Sequence, residues 1–235
     1  MLNITDLYVG YYRDLNILQN VNLTAETGKI TAILGANGVG KSTMLKAIYG
    51  FLRPNDGDIV LDGESVLGVP THERIDRGLA YIPQQPGVFR YMSVEENLLV
   101  GAWTFRRDKQ RIKQKLDENY ARFPILRDKR KQMTGELSGG QQRMIEIGRT
   151  LMTDPKVILV DEPTAGLAKL LSQEVYQMLI DLRDDDGLTI LLVDQEIREA
   201  LKIADYVYVL ELGRNKFEGP AADFQDLEKA FWVGG

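Results

Sequence analysis

The chain has 235 residues, of which 44% are hydrophobic, and its formal net charge is −5. This length and apolar content are sufficient for one large domain with a well-formed core. An acidic balance is untypical of domains that coat nucleic acid, so no nucleic-acid partner is expected. The apolar runs are far shorter than the roughly 20 residues that cross a bilayer. Because the chain has no cysteine and its first residues do not resemble an export signal, we expect a cytoplasmic protein.

The N-terminal region alternates apolar and polar residues between turn-forming residues, a pattern that is typical of antiparallel strands. We therefore predict a small antiparallel β layer that packs on the rest of the domain. The apolar positions are Ile4, Leu7, Val9, Ile17, Leu18, Val21 and Leu23, followed by the run 58–61.

Further along the chain, short apolar runs rich in β-branched residues alternate with helical patterns, which indicates a mostly parallel sheet. One run covers residues 30–34, ends at Gly35 and is followed by a helical pattern. The runs 157–160 and 189–193 flank a helical segment at about 172–182, which predicts a right-handed βαβ unit. The expected fold class is α/β.

Between about Met92 and Gln132 the pattern becomes helical and rich in charge, which predicts a helical subdomain inserted into the α/β core. Basic residues crowd positions 106–115, where apolar side chains recur at near-helical spacing. We interpret this stretch as a solvated amphipathic helix, and a phosphate-binding patch is the alternative. The predicted organisation is one domain over 1–235, with a core at 1–91 and 133–219, a helical subdomain at 92–132, and a C-terminal helix or tail at 220–235.

Residues 35–42 match the phosphate-loop pattern G-x-x-x-x-G-K-[ST] in full, and they lie between a predicted strand and a predicted helix. Glycines let the backbone turn N–H groups towards a phosphate, and the following helix adds the positive end of its dipole. Lys41 is expected to reach the β- and γ-phosphates of ATP, and Ser42 to bind Mg²⁺. A glycine-rich turn without a ligand is the alternative. The residues predicted to contact the nucleotide here are Gly35, Asn37, Gly38, Gly40, Lys41, Ser42 and Thr43.

A second acidic element follows the apolar run 157–160, which ends in the consecutive carboxylates of Asp161 and Glu162. Ligands of parallel α/β sheets bind at the carboxyl ends of the strands, so these carboxylates are expected beside the phosphates. Asp161 is predicted to hold Mg²⁺, and Glu162 to orient or deprotonate the attacking water. Alone, such a pair is more often a solvated loop or a helix cap.

The segment Leu137-Ser138-Gly139-Gly140-Gln141-Gln142 lies between these two elements and matches the signature sequence of ABC ATPases. Over residues 2–219 the chain thus resembles the ATP-binding subunits of ABC transporters, with a P-loop NTPase core. In that family two ATPase domains enclose two ATP molecules, and each phosphate loop faces the signature segment of the other subunit. The resemblance implies that Ser138, Gly139, Gly140 and Gln141 contact the partner's nucleotide.

The same resemblance assigns roles to two further positions. Gln84 follows the predicted strand 79–83 and matches the family's glutamine that touches Mg²⁺ and water and senses the membrane partner. Tyr12, or alternatively Tyr11, matches the aromatic residue that stacks on adenine, and ordinary strand packing is the alternative. The loop 86–91 carries two aromatic side chains and is expected to receive a short helix of the transmembrane subunit.

Two positions depart from the common pattern of the family. Ala168 stands where most members have aspartate, and Gln195 stands where the usual switch histidine stands. Both departures resemble one of the two ATPase subunits of importers for branched-chain amino acids and their amide or urea relatives. This implies a second ATPase subunit, transmembrane permease subunits and, indirectly, a periplasmic solute-binding protein as partners, and a position on the inner face of the cell membrane. Gln195 is expected to act in catalysis with Glu162 and Gln84.

Three alternatives remain at this point. A soluble ABC ATPase of DNA repair or of the ribosome is disfavoured, because the chain has neither a long coiled-coil insert nor a second ATPase domain. A nucleotide-gated module with little turnover would fit the missing histidine, although Glu162 argues against it. The ATPase of a lipopolysaccharide exporter has similar length, but that family usually keeps the histidine.

Overall fold

The computed structural model describes residues 1–12 and 15–224. The strands are β1 (Leu2–Val9), β2 (Leu18–Ala25), β3 (Ile30–Leu34), β4 (Asp56–Leu61), β5 (Glu64–Ser65), β6 (Leu79–Ile82), β7 (Val157–Asp161), β8 (Thr189–Val193), β9 (Tyr206–Glu211) and β10 (Arg214–Pro220). The helices are α1 (Lys41–Tyr49), α2 (Thr71–Asp76), α3 (Val94–Gly101), α4 (Lys109–Arg122), α5 (Pro124–Asp128), α6 (Gly139–Leu151), α7 (Lys169–Asp186) and α8 (Ile197–Ile203). Short 3₁₀ turns cover Trp103–Phe105, Thr134–Glu136 and Ala221–Phe224.

The main sheet has the strand order β10-β9-β3-β8-β7-β6. Its pairs are parallel from β9 to β6, and only β10 runs antiparallel to its neighbour β9. Every residue of β3, β7 and β8 is buried, as expected for central parallel strands covered on both faces. The α/β class and the mostly parallel sheet are therefore confirmed, and β7, α7 and β8 form the predicted βαβ unit.

The smaller sheet is antiparallel, with the order β2-β1-β4-β5. Its alternating apolar residues are buried together with the apolar face of α1 and one face of the main sheet. Helices α6, α7 and α8 cover the opposite face of the main sheet. The N-terminal β layer expected from the alternating pattern is thus present.

Helices α3, α4 and α5 lie between β6 and α6 in the chain, as the charge-rich pattern predicts. Helix α3 begins with a capping box, in which Ser93 and Glu96 satisfy each other's backbone N–H groups. The basic stretch contributes to α4, where Arg111 and Lys115 both pair with Asp154. The division into core and helical subdomain remains a prediction.

Two expectations differ in extent from the structure. Helix α7 is longer than the segment 172–182, because apolar periodicity marks only its buried face and Gly187 ends the helix in a left-handed conformation. Of the C-terminal segment 220–235, Ala221–Phe224 form a 3₁₀ turn, and residues 225–235 lie outside the described part. No helix in the described part is long and apolar enough to cross a membrane.

Candidate functional site

The phosphate loop connects the end of β3 to the start of α1. At two of its positions only glycine fits, because a Cβ atom would clash with neighbouring atoms. Gly35 has φ 148°, and a Cβ there would lie 2.5 Å from the carbonyl oxygen of Leu210. Gly40 has φ 105°, and its Cβ would lie 2.5 Å from a methyl group of Leu18. The backbone N–H groups of residues 37–43 donate to no acceptor in the described ranges 1–12 and 15–224. This row of free donors at a helix start fits an anionic ligand.

Lys41, the first residue of α1, is folded back over this loop. Its Nζ donates to the carbonyl oxygens of Gly35 at 2.8 Å and Ala36 at 3.1 Å. Burial lowers the pKa of Lys41, and the neighbouring carboxylates of Glu162 and Asp161 oppose that shift. The ammonium group is thus held at the mouth of the loop, where a phosphate would contact it.

Ser42 and Asp161 are joined directly across the edge of the sheet. The Ser42 hydroxyl donates to Oδ1 of Asp161 at 2.9 Å, and the Tyr81 hydroxyl donates to Oδ2 at 3.0 Å. No group of three or more His, Cys, Asp or Glu side chains that could hold a metal occurs in the described part. Mg²⁺ at nucleotide sites usually takes one or two protein oxygens and completes its shell with phosphates and water. The pair of Ser42 and Asp161 therefore fits Mg²⁺ that arrives with a nucleotide.

Glu162 is held by two side chains that follow β6 and β8, the strands on either side of β7. Its Oε2 accepts hydrogen bonds from Nε2 of Gln84 at 2.7 Å and from Nε2 of Gln195. The Oε1 of Gln195 accepts in turn from Nδ2 of Asn37, at 3.4 Å. Glu162 has φ 43°, and its N–H donates to the carbonyl oxygen of Val193 at 2.8 Å. The structure thus brings together the three residues predicted to act in catalysis and connects them to the phosphate loop.

Behind this carboxylate lies a buried polar network that the sequence analysis missed. Asp194 accepts from the Tyr176 hydroxyl at 2.9 Å and from the backbone N–H groups of Gln195 and Glu196 at 2.7 and 3.0 Å. The hydroxyls of Tyr176 and Thr164 lie 3.1 Å apart. Burial raises the pKa of the Asp194 carboxyl, although these hydrogen bonds oppose the shift. The network fixes the backbone from which Gln195 projects.

The signature segment lies apart from this cluster. Ser138 caps α6, because its hydroxyl accepts from the N–H of Gln141, and the Gln141 side chain accepts from the N–H of Ser138. An added Cβ on Gly139 would contact Leu167, just before α7, and one on Gly140 would contact Leu171 in the first turn of α7, rather than the phosphate loop. Within 1–12 and 15–224, no hydrogen bond joins residues 138–142 to residues 35–43.

The two tyrosines predicted near adenine are exposed, and Ala168 lacks a side-chain hydrogen-bond acceptor. Tyr12 is 73% exposed, and its contacts with Leu15 and Asn55 use its backbone oxygen, which leaves the ring open. Tyr11 is also exposed. Ala168 occupies the cap position of α7 and offers no side-chain acceptor, which an aspartate there would supply. The stacking role of Tyr12 stays a prediction.

Other residues at the site were not singled out by sequence reasoning. Tyr81 lies on β6, three residues before Gln84. Only the hydrogen bond from its hydroxyl to Asp161 identifies it as part of the site. Arg143 and Glu146 look like ordinary polar positions of a helix, yet both are buried beside the segment that carries Gln84. The apolar residues that recur around them at helical spacing could have shown that they lie on the buried face of the helix. A polar residue on a buried face needs a hydrogen-bond partner, so a partner could have been sought.

Comparison with known proteins agrees with this geometry. The family model described as "ABC transporter" matches residues 18–165. A probable branched-chain amino acid transport ATP-binding protein LivF of Archaeoglobus fulgidus is 39% identical over 97% of this chain and 96% of its own length. The high-affinity branched-chain amino acid transport ATP-binding protein BraG of Pseudomonas aeruginosa is 39% identical over 87% of this chain and 86% of its own. The lipopolysaccharide export system ATP-binding protein LptB of Haemophilus influenzae is 36% identical over 86% and 84%.

Solved structures give the same result. A nucleotide-free ATP-binding cassette from an ABC transporter superposes with a TM-score of 0.83 at 29% identity, covering 94% of this chain and 91% of its own. The ADP conformation of another ATP-binding cassette of an ABC transporter superposes with a TM-score of 0.85 at 27% identity, covering 100% and 99%. With a family model that spans more than half of its length and relatives that align along nearly all of it, this chain belongs to the ABC transporter family.

Proposed function

We propose that this chain binds and hydrolyses ATP to power an importer for branched-chain amino acids or related small amides. The observation that carries the proposal is the cluster around Glu162, which is bonded to Gln84 and Gln195 and lies beside the phosphate loop. The solute class is supported by the names of the two relatives at 39% identity and by Gln195 and Ala168, which depart from the common family pattern.

ATP binding would use the free backbone donors of residues 37–43 and the ammonium of Lys41 for the β- and γ-phosphates. Ser42 and Asp161 would bind Mg²⁺, with Gln84 at the edge of its shell. When bound, Mg²⁺ neutralises the charge that develops on the phosphates. Tyr12 offers an exposed ring for adenine.

Hydrolysis would depend on Glu162, whose carboxylate accepts a proton from the attacking water or orients that water. The two glutamine amides hold the carboxylate in place, and neither carries charge. A histidine at position 195 could become cationic, whereas Gln195 adds no positive charge to the transition state. We therefore propose slow ATP turnover for the chain alone. Turnover should be faster beside a partner ATPase subunit whose site carries the catalytic group that this chain lacks.

The signature residues Ser138, Gly139, Gly140 and Gln141 would act on the nucleotide of a second ATPase subunit. They lie at the start of a helix and make no hydrogen bond to the chain's own phosphate loop in the described part, which supports action across an interface. Permease subunits would hold the pair on the inner face of the cell membrane and receive solute from a periplasmic binding protein.

The permease would dock on the loop 86–91. Phe89 is 49% exposed and lies under the guanidinium of Arg149, and Tyr91 is 96% exposed. Exposed aromatic side chains of this kind are typical of a groove that receives a helix. Phe89→Asp is expected to abolish transport and to leave basal ATPase intact, and unchanged transport would refute the docking role.

Uptake of labelled leucine in cells that depend on this chain tests the proposal. Glu162→Gln should abolish uptake, whereas Glu64→Gln, which changes an exposed carboxylate on the remote sheet, should leave it intact. Normal uptake with Glu162→Gln would refute the proposal.

Lipopolysaccharide export is the second candidate, because LptB proteins of several bacteria are 34–36% identical to this chain. The same cells distinguish the two functions. Loss of lipopolysaccharide transport to the cell surface with unchanged leucine uptake would favour the exporter.

A further inference from the structure

Helix α6 carries a buried ion pair that the hydrolysis scheme does not use. Arg143 and Glu146 are one turn apart, their side chains are each 1% exposed, and their charged groups are in contact. Two charges removed from water cost several kcal/mol unless good geometry and further hydrogen bonds compensate. Such a pair is weak evidence for stability, so its other contacts indicate its role.

Apart from a contact of Glu146 with Arg149 on the same helix, the side-chain contacts in the described part are made to one segment, residues 83–87, which we name the glutamine loop. Arg143 donates to the carbonyl oxygens of Pro83 at 2.8 Å and Gln84 at 2.6 Å. Glu146 accepts from the N–H of Gly87 at 2.8 Å. Both ends of the loop are therefore bonded to a single turn of α6.

A third charged residue of α6 extends this attachment. Arg149, one turn further along the helix, donates to the carbonyl oxygen of Gly87 at 2.8 Å. Both the N–H and the carbonyl oxygen of Gly87 are thus bonded to α6, and the backbone of the glutamine loop has little freedom to move independently of the helix.

The attachment joins two elements that each carry a predicted functional residue. Helix α6 begins at the signature cap Ser138, and the glutamine loop carries Gln84, whose amide donates to Glu162. We propose that Arg143 and Glu146 are positioning residues that make the signature end of α6 and the Gln84 amide move as one body. The inference rests on the proposed function, since Ser138 would then face the partner's nucleotide and Gln84 the chain's own. Contact of Ser138 with the partner's nucleotide would thereby affect the position of Glu162, which activates the water that attacks the chain's own nucleotide.

The test removes both charges together, as Arg143→Met with Glu146→Leu, because a single change would leave an uncompensated buried charge and strongly destabilise the fold. The paired variant is expected to fold and to bind ATP with unchanged affinity. Amide exchange of Gln84, Gln85 and Gly87 should become faster, while exchange at residues 37–43 should not change. The kcat of the ATPase should fall by about 10- to 100-fold with KM for ATP within about 2-fold, as for a small misplacement of a catalytic group.

A mutant cycle with Gln84→Ala separates positioning from general weakening. If the pair acts through Gln84, adding Gln84→Ala to the paired variant should reduce kcat little further, because coupled residues are not additive. Losses that multiply, or a kcat that stays at the wild-type value, would overturn the inference.

Arg74 provides a matched control, because it is also buried and its guanidinium donates to the carbonyl oxygens of Val69, Ala47 and Ile48, away from the glutamine loop. Arg74→Met should lower Tm and leave kcat at permissive temperature unchanged. An equal loss of kcat would mean that the paired variant reports only stability. Exchange at 84–87 needs no turnover, so it tests the attachment even if the wild-type chain hydrolyses no ATP.

Discussion

The phosphate-loop edge of the sheet and the start of α6 have equally recognisable sequences. They differ in completeness, that is, in whether this one chain supplies the neighbouring groups that the site needs. At the sheet edge, Lys41, Ser42, Asp161 and Glu162 are already bonded to neighbours from other strands and loops. At the start of α6, the hydrogen bonds of Ser138 in the described part are made to residues of its own first turn, Gln141 and Gln142. The fold of one chain assembles the first region, whereas the second offers its donors outwards. A motif can therefore be intact in sequence while its function depends on a second chain.

The largest effect is expected at the complete region, from Lys41→Ala. Removing an ammonium that contacts phosphates should weaken ATP binding by about 10- to 150-fold, the equivalent of 1.5 to 3 kcal/mol for a hydrogen bond to a charged group. Titration with a fluorescent ATP analogue measures this affinity. Lys46→Ala, one turn further along α1, is the control and should bind normally. Equal affinity of the two variants would contradict the assignment of Lys41.

The incomplete region should respond in the opposite way. Ser138→Arg is expected to leave ATP affinity of the lone chain within about 2-fold but to reduce ATPase turnover by about 100-fold, the usual loss when one transition-state donor is removed. Ser65→Arg, on the remote antiparallel sheet, is the control and should keep turnover. If Ser138→Arg weakened ATP binding by the lone chain, the two regions would not be separate.

Gln195→His sharpens the comparison from within the complete region. An imidazolium beside the γ-phosphate should raise turnover of the lone chain by about 10-fold, which corresponds to roughly 1.5 kcal/mol, the lower end for a hydrogen bond to a charged group. The gain should be larger at pH 6 than at pH 8, because histidine is protonated below a pKa of about 6.5. Gln114→His, on exposed α4, is the control. No gain at either pH would show that the glutamine already suffices.

The smallest effect is expected from Tyr81→Phe. The change removes one hydrogen bond to Asp161, a loss of about 0.5 to 1.5 kcal/mol, so Mg²⁺ should bind about 2- to 10-fold more weakly with the nucleotide. Electron paramagnetic resonance of Mn²⁺ in the ATP complex measures this binding without turnover. Tyr49→Phe is matched, because its ring contacts Tyr81 and its hydroxyl donates to no described residue. Equal metal affinity of the two variants would exclude a positioning role for Tyr81.

The sequence predicted the parts of this molecule that local patterns encode. Alternation identified the antiparallel layer, and the strand end identified Asp161 and Glu162, because parallel strands bring their carboxyl ends to one edge. The role of Gln195 came from the resemblance to ABC ATPases. Contacts across the fold were not predictable in this way. Tyr81 and the pair of Arg143 and Glu146 act through side-chain reach between elements far apart in sequence. Helix α7 exceeded its predicted length because its end residues, such as the exposed Leu170 and Asp186, do not continue the buried apolar face.

The most direct test of the central claim is single-turnover hydrolysis and mass analysis of Glu162→Gln with ATP and Mg²⁺. The account predicts normal ATP affinity, no hydrolysis, and an ATP-dependent species of twice the chain mass, formed by the chain itself or with its partner ATPase. Adding Ser138→Arg should abolish that species without loss of ATP binding. Hydrolysis by Glu162→Gln at the wild-type rate would contradict the claim that Glu162 is the catalytic carboxylate.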